Sequence, residues 1–512
     1  MKSGSTGKEL YRQLRAMPWE LLWTQEVARF DRATAGERSE RVAVIRAVGV
    51  VFSESGPAEQ RDEVRQWLRK LLQDPGEKIR RYAMAALPKI GAGASEEAEL
   101  LALMRKGTSG REAKFLGRTL DKIGGEATLE MLAATSALPR QTEQKVRASV
   151  ARRQNPSVIR MDSTLAGFAG LRIHLRGRVG LEGIVREEVE EHGKFRVVDV
   201  QPGLVAITAP TPFTLADIFA LRCFGTVGFV LGLVNSGSEA AYIGALAPVI
   251  ASPLSQRLFT ALTSGAIRYR LEFVAKGHQR AAVREVANRA YALCPQILND
   301  AREAPWAIDV HPTARGDSVE LRPRLSPDPR HAWRLADIPA ASHPPLAACM
   351  ARLAGRHENE SVWDPFCGSG LELIERVMLG GVRRVFGTDH SAEAIAITGR
   401  NFSSASPGPV PARFLCCDFR DFAENEKLAP GSLTLIITNP PLGRRIPIRN
   451  LRGLFDDLFA VASKLLAPGG RLVLTNPFHM ESGQPSLKLA SRRLVDLGGF
   501  KCRLELHRKV AQ

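Results

Sequence analysis

Apolar positions along this chain change their period twice. Up to about Asn155 they recur at helical spacing, with glycines that read as helix stops. The clearest unit is Asp74-Pro75-Gly76-Glu77-Lys78-Ile79-Arg80-Arg81-Tyr82-Ala83-Met84-Ala85-Ala86-Leu87-Pro88-Lys89-Ile90-Gly91, and a second ends 33 residues later at Lys122-Ile123-Gly124. A vaguer unit runs from Arg41 to Gly49, and another lies at Val146-Arg147-Ala148-Ser149-Val150. The repeat predicts paired helices stacked as a short solenoid over residues 1–155, an irregular helical bundle being the plainer alternative.

From about residue 165 to 330 the pattern is mixed. Leu171 to Leu175 reads as a strand, and Gly180-Leu181-Glu182-Gly183-Ile184-Val185 opens a helix. Strands are predicted at Phe195 to Val200, Leu204 to Thr208 and near Val227, within Cys223 to Val234, the most apolar stretch of the chain. Ile267 to Phe273 alternates with period two, a helix with several arginines follows from Gln279 to Cys294, and Trp306 to Val310 is a further strand. The order predicts an α+β domain.

Residues 331–512 alternate strands and helices as in a doubly wound α/β sheet. Pro344-Pro345-Leu346-Ala347-Ala348 opens a helix with proline in its first turn. Strands are predicted at Ser361 to Trp363, Arg384 to Gly387, Ala412 to Cys417, before Asn439, and at Arg471 to Thr475. A helix is expected from Leu451 to Leu466, a last helix stopping at Gly498-Gly499, and a final strand from Lys501 to Val510.

Two loops carry candidate chemistry. Asp364-Pro365-Phe366-Cys367-Gly368-Ser369-Gly370 and Asn439-Pro440-Pro441-Leu442-Gly443 begin 75 positions apart. Each follows a strand, and in such sheets ligands bind at the carboxyl edge. Gly368 and Gly370 let the backbone come close to a ligand and place free amides before the next helix. A third glycine at dinucleotide spacing is missing. Asp389, 19 residues after Gly370 at the end of the next strand, is where an acid accepts from ribose hydroxyls.

Charge changes the picture more than composition does. The 512 residues suit three or four domains, and 44% hydrophobic content supplies an ordinary core. A net charge of +17, from 71 Lys and Arg against 54 Asp and Glu, points to a polyanionic partner such as nucleic acid. The seven cysteines include no CxxC pair, so neither a disulfide framework nor a metal site is expected. No run approaches the roughly 18 apolar residues of a membrane span, and Met1 to Trp19 has no apolar signal core. The expectation is a soluble, cytoplasmic, monomeric protein without a membrane partner.

These residues support three resemblances. The N-terminal units resemble HEAT-like repeats, which implies an all-α domain offering a protein partner, or RNA, a surface. The Gly180-Leu181-Glu182 helix start, the Arg268-Tyr269-Arg270-Leu271-Glu272-Phe273 strand and Ile308-Asp309-Val310 resemble THUMP-domain RNA methyltransferases. There a ferredoxin-like subdomain and a THUMP domain precede the methyltransferase domain and hold structured RNA. The resemblance implies RNA phosphate contacts from Lys276, His278, Arg280, Arg284 and Arg289, against the plainer reading of a solvated basic face.

The third resemblance covers residues 331–512, which look like a Rossmann-like α/β methyltransferase domain. Asp364 to Gly370 is similar to the S-adenosyl-L-methionine loop of amino-group methyltransferases. It implies cofactor contacts from Asp364, Phe366, Gly368, Ser369 and Gly370, with Asp389 on the ribose. Asp418 would accept from the adenine amine, with Asp421 as the competing candidate, and the Pro344 helix would help close over the cofactor. Cys367 then lies against the cofactor loop and is no nucleophile.

Asn439-Pro440-Pro441-Leu442 resembles the fourth motif of N6-adenine and N2-guanine methyltransferases. An exocyclic purine amine is a poor nucleophile because its lone pair is delocalised. Two acceptors, the Asn439 side-chain oxygen and the Pro440 carbonyl, would rehybridise it on a loop stiffened by Pro440 and Pro441. Leu442 stands where the family carries Tyr or Phe to stack on the base, and Phe478 is a candidate substitute. Arg444 and Arg445 resemble the tail of THUMP-containing guanine-N2 enzymes and imply phosphate contacts. The expected function is methyl transfer to the N2 amine of a guanosine in tRNA or rRNA. The alternatives are an N6-adenine methyltransferase and a catalytically weak RNA-binding scaffold.

Overall fold

The computed structural model describes residues 3–511 except 109, 136–137, 236–237, 275–276, 278, 340, 406–407, 444–447 and 480–481. The chain folds as two units, Met1–Pro156 and Ser157–Gln512.

The first unit is helical. Glu77–Ile90 illustrates its construction: Ile79, Ala83, Met84, Ala86, Leu87 and Ile90 recur every three or four positions and are buried together, and Gly91 ends the helix. Gly49 departs from the expected pattern. It lies inside the helix Ala43–Ser55, where a Cβ would sit 2.9 Å from that of Ala86. It permits a close helix crossing and does not stop a helix.

Side chains one unit apart in sequence meet across neighbouring helices. Arg65 pairs with Glu96 at 2.7 Å, Arg69 with Glu99 at 2.5 Å and Arg80 with Glu112 at 2.5 Å, over separations of 31, 30 and 32 positions. The buried Glu97 carboxylate accepts from the Gly125 amide at 2.6 Å and from the Thr128 amide and hydroxyl at 3.0 and 2.6 Å. It thereby serves orphan donors at the start of the helix Glu126–Ala134. Glu97→Ala would strand all three donors, and a loss of roughly 2–4 kcal/mol is expected in urea denaturation followed by helical circular dichroism. A loss below about 0.5 kcal/mol would show that water replaces the carboxylate.

The second unit holds two large sheets. The first has eight strands in the spatial order Arg196–Gln201, Leu204–Thr208, Ile173–Arg176, Thr226–Val234, Gly316–Pro323, Trp306–Thr313, Ile267–Phe273 and Ile297–Asn299. Its pairings are antiparallel except that Ile267–Phe273 runs parallel to both of its neighbours. The helices Glu182–His192, Glu239–Ile250, Pro253–Leu262 and Arg280–Leu293 belong to this region.

The other sheet has seven strands: β1 (Glu360–Asp364), β2 (Val382–Asp389), β3 (Ala412–Cys416), β4 (Leu433–Thr438), β5 (Leu466–Asn476), β6 (Leu487–Asp496) and β7 (Lys501–Lys509). Their order is β3-β2-β1-β4-β5-β7-β6. The first five are parallel, and β7 is antiparallel to both β5 and β6. Short βα crossovers bring all five parallel strands to one carboxyl edge.

The helix expected before Gly498 is instead the strand β6. It pairs with β7 from Leu487↔Lys509 to Asp496↔Lys501. Asp496 Oδ1 accepts from the amides of Gly498 and Gly499, both at 2.7 Å, so the glycines close a hairpin. A helix here would leave β7 as a bare edge, and pairing outweighs the local spacing.

Residues of both regions, 165–330 and 331–512, share one apolar core, with Phe224 and Cys223 of the first in the same cluster as Leu346, Cys349 and Ile374 of the second. Ion pairs Arg222–Glu375 (2.7 Å) and Arg352–Glu188 (3.2 Å) cross the same junction. All seven cysteines are free. Among the described residues no helix is long and apolar enough to cross a membrane.

Candidate active site

β1 and β4 are adjacent parallel strands, so the loops that leave them start side by side. Asp364 ends β1 fully buried, and its Oδ1 accepts from the Phe366 amide at 3.0 Å. Asp364 Oδ2 and the Thr438 hydroxyl near it are both buried without a well-formed hydrogen bond. Burial, and then the nearby Glu372 carboxylate, push Asp364 well above the usual carboxylate range. Glu372 is itself raised by burial. The pair forms a desolvated acidic floor.

Gly368 and Gly370 both take positive φ, 55° and 84°. A Cβ on Gly368 would lie 3.1 Å from Ile338, so the segment before the Pro344–Ala354 helix rests on the loop. Asn401 fastens that segment. Its Oδ1 accepts from the Leu335 and Ala336 amides at 3.0 and 3.2 Å, and its Nδ2 donates to the carbonyls of Ala336 and Ser369, both at 3.0 Å. Thr398 donates to the Gly368 carbonyl at 2.8 Å. Asp389 ends β2 beside the loop, its Oδ2 accepting from the Gly368 amide at 3.1 Å and its Oδ1 from the Ser391 amide at 3.0 Å.

Phe366 packs against Phe419 with ring centroids 5.1 Å apart. Asp418, just beyond β3, is half exposed and paired with Arg420 at 2.8 Å. Asp421 sits at the start of the short helix Phe422–Asn425. Cys367 is buried against Thr398, and burial pushes its thiol well up, away from nucleophilic character.

Asn439 follows β4 at the same edge. Its Nδ2 donates to Ser342 Oγ at 2.8 Å, and its Oδ1 accepts from the Thr475 hydroxyl. Ser342 in turn donates to Glu372. Pro440 is buried, and Pro441 and Leu442 are half buried. Leu442 and Phe478 both pack on the cluster that holds Phe455, with Phe478 edge-on to Phe455 at 5.5 Å.

The structure thus gathers Asp364, Phe366, Gly368, Ser369, Gly370, Asp389, Asn439, Pro440, Pro441 and Leu442 along one sheet edge, with Asp418 at the end of β3. Lys276, His278, Arg444 and Arg445 lie outside the described residues. Arg280 and Arg284 are exposed on the helix Arg280–Leu293, and Arg289 pairs with Glu285 at 2.9 Å. Sequence reasoning overlooked Ser342, Glu372, Thr398, Asn401 and Thr475 as site-forming residues. No short motif marks them, although Glu372 stands two places after Gly370.

Residues 331–482 match the family model UPF0020, an RMKL-like methyltransferase domain. This part of the chain is similar to a methyltransferase domain of that kind. A curated relative, the tRNA (guanine(10)-N2)-dimethyltransferase of Methanothermobacter thermautotrophicus, is 27% identical over 188 residues, which are 35% of this chain and 53% of the relative. The chain therefore spans about half the length of that relative. In fold, TrmN from Thermus thermophilus superimposes with a TM-score of 0.53 at 22% identity, covering 66% of this chain and 100% of TrmN. A possible methylase from Clostridium difficile 630 gives 0.52 at 17%, covering 67% and 99%.

Proposed function

We propose that the chain is an S-adenosylmethionine-dependent RNA methyltransferase that modifies the exocyclic N2 amine of a guanosine in tRNA. The observation that carries this is the adjacency of the glycine loop after β1 and the Asn439-Pro440-Pro441 loop after β4. The cofactor supplies an electrophilic methyl group when bound. The residues suit it: Asp364 and Glu372 offer buried negative charge to a cationic ligand, and the positive-φ glycines bring the backbone close. In this reading Asp389 receives the ribose, and Asp418, on exchanging Arg420, the adenine amine.

Asn439 Oδ1 and the Pro440 carbonyl accept the two hydrogens of the target amine and localise its lone pair. The loop cannot reach into a duplex, so the base enters unstacked. Leu442 and Phe478 form the apolar wall it meets. The similarity to a protein named tRNA (guanine(10)-N2)-dimethyltransferase favours tRNA over rRNA, and a cytoplasmic setting accords with that substrate.

The eight-stranded region is read as ferredoxin-like and THUMP-like, holding RNA through its basic side chains, Arg280 and Arg284 among them. The first unit is read as HEAT-like. Contacts between side chains about one repeat apart support that reading, and its exposed faces are left for a protein or RNA partner.

The raised Asp364–Glu372 pair fixes a pH dependence. Without cofactor the pair retains a proton into the pH range above ordinary carboxylates; a bound cation favours the ionised form and expels it. Cofactor affinity is expected to rise with pH through that range and level off above it. Calorimetry in two mildly acidic buffers of different ionisation enthalpy should show proton release. Equal heats would remove the acidic floor from the cofactor site.

The deciding experiment incubates the protein with labelled S-adenosylmethionine and separate unmodified tRNA and rRNA pools, then identifies the methylated nucleoside. N2-methylguanosine in tRNA is expected. N6-methyladenosine would replace the target, and cofactor binding without transfer to either pool would leave an RNA-binding scaffold.

A further inference from the structure

Asn439 is held by a hydrogen-bond chain in which every donor points the same way. Thr475 of β5 donates to Asn439 Oδ1, Asn439 Nδ2 donates to Ser342 Oγ at 2.8 Å, and Ser342 donates to Glu372. The four residues come from four places: β5, the loop after β4, the turn before the helix Pro344–Ala354, and the first turn of the helix Leu371–Met378. Thr475 is 2% exposed and Glu372 3% exposed, so water does not substitute readily for either.

The direction of the chain follows from its last member. A serine hydroxyl has one proton. Once that proton is committed to the Glu372 carboxylate, Ser342 offers Asn439 lone pairs alone. Only the NH2 end of the amide can then face Ser342, and the oxygen is turned toward Thr475 with a second lone pair left over. Donation from Nδ2 along an anion-terminated chain also draws electron density onto Oδ1, which strengthens it as an acceptor.

We propose that Ser342 and Glu372 are positioning residues for methyl transfer, which set the Asn439 amide so that its oxygen meets the target amine. The proposal rests on the methyltransferase reading given above. Ser342 and Glu372 touch neither the transferred methyl nor the amine in this scheme. Ser342 acts through Asn439, and Glu372, besides the charge it offers the cofactor, acts through Ser342.

The test compares wild type, Ser342→Ala and Ser342→Thr as full chains, assayed with saturating labelled S-adenosylmethionine on the RNA pool that wild type modifies. Ser342→Ala should lower kcat roughly tenfold or more while the KM for RNA stays within about twofold, because an acceptor is misaligned and no binding contact is lost. Ser342→Thr, which keeps the hydroxyl, should recover most of the wild-type kcat. A purely packing role for Ser342 would leave Ser342→Thr at least as impaired as Ser342→Ala. That result, a wild-type kcat in Ser342→Ala, or a loss confined to KM would overturn the proposal while leaving the methyltransferase reading intact. Absence of transfer by wild type would overturn that reading, and this inference with it.

Discussion

Asn439→Ala is expected to lower kcat for methyl transfer roughly 10²–10³-fold while leaving cofactor and RNA affinity within about twofold. The acceptor it removes works mainly as the amine nitrogen becomes tetrahedral, so the loss belongs to the transition state. Calorimetry with S-adenosylmethionine should be nearly unchanged, since Asn439 lies on the β4 loop and the glycine loop follows β1. The truncation also leaves the buried Thr475 hydroxyl without its acceptor and takes a donor from Ser342, which keeps Glu372. Some destabilisation of order 1–2 kcal/mol is therefore expected alongside the kinetic loss. Single-turnover measurements separate the two: the folded fraction sets the amplitude, and the missing acceptor sets the rate. A variant that methylates at the wild-type rate would remove Asn439 from the chemistry, whatever its stability.

The parts of this site that were legible in the sequence are those whose chemistry is local. Asp364 to Gly370 is a strand end, a loop needing positive φ and a helix start, all within one short window, and the loop after β4 is stiffened by its own prolines. Asn401 illustrates what is not legible. It is an unremarkable polar residue in the middle of Ala392–Ala405, yet it bonds Leu335, Ala336 and Ser369 because tertiary packing brings a distant turn over it. Glu372 is similar: on a helix it reads as a solvated first-turn acid, and only the fold buries it beside Asp364.

The helix expected before Gly498 fails for the same physical reason. Spacing reports which face of an isolated segment is apolar, whereas the choice between helix and strand was settled by the unpaired edge of β7. Gly49 shows the converse, where a glycine read as local punctuation is explained by a neighbour 37 positions away, Ala86.

Gly180 belongs to this class of distant constraint, and Gly180→Ala carries the largest stability loss expected in the second unit. The residue adopts φ +99°, and a Cβ there would lie 1.9 Å from the Leu494 carbonyl oxygen and 3.1 Å from the Val495 Cα. Those are backbone atoms of β6, so no rotamer change relieves the clash. The junction is otherwise well bonded: the Asp496 amide donates to the Val179 carbonyl at 3.0 Å, and Arg178 donates to the Asp496 carbonyl at 3.1 Å. A methyl at 180 must push the β6 hairpin from this seat or force the helix start out of line.

A loss of roughly 3–5 kcal/mol is expected, the upper range for a single substitution. Gly193→Ala is the matched control. Its φ is +75°, but nothing lies within 4 Å of the added carbon, so it should cost only about 1 kcal/mol through the backbone alone. Urea denaturation of the two variants, compared at equal slope, isolates the steric part. Equal losses would mean that β6 does not rest on Gly180 in solution. A large difference would establish that the Gly180-Leu181-Glu182 turn is kept narrow in order to seat the edge strand of the methyltransferase sheet, whose β7 and β5 lead back to Thr475 and the Asn439 amide.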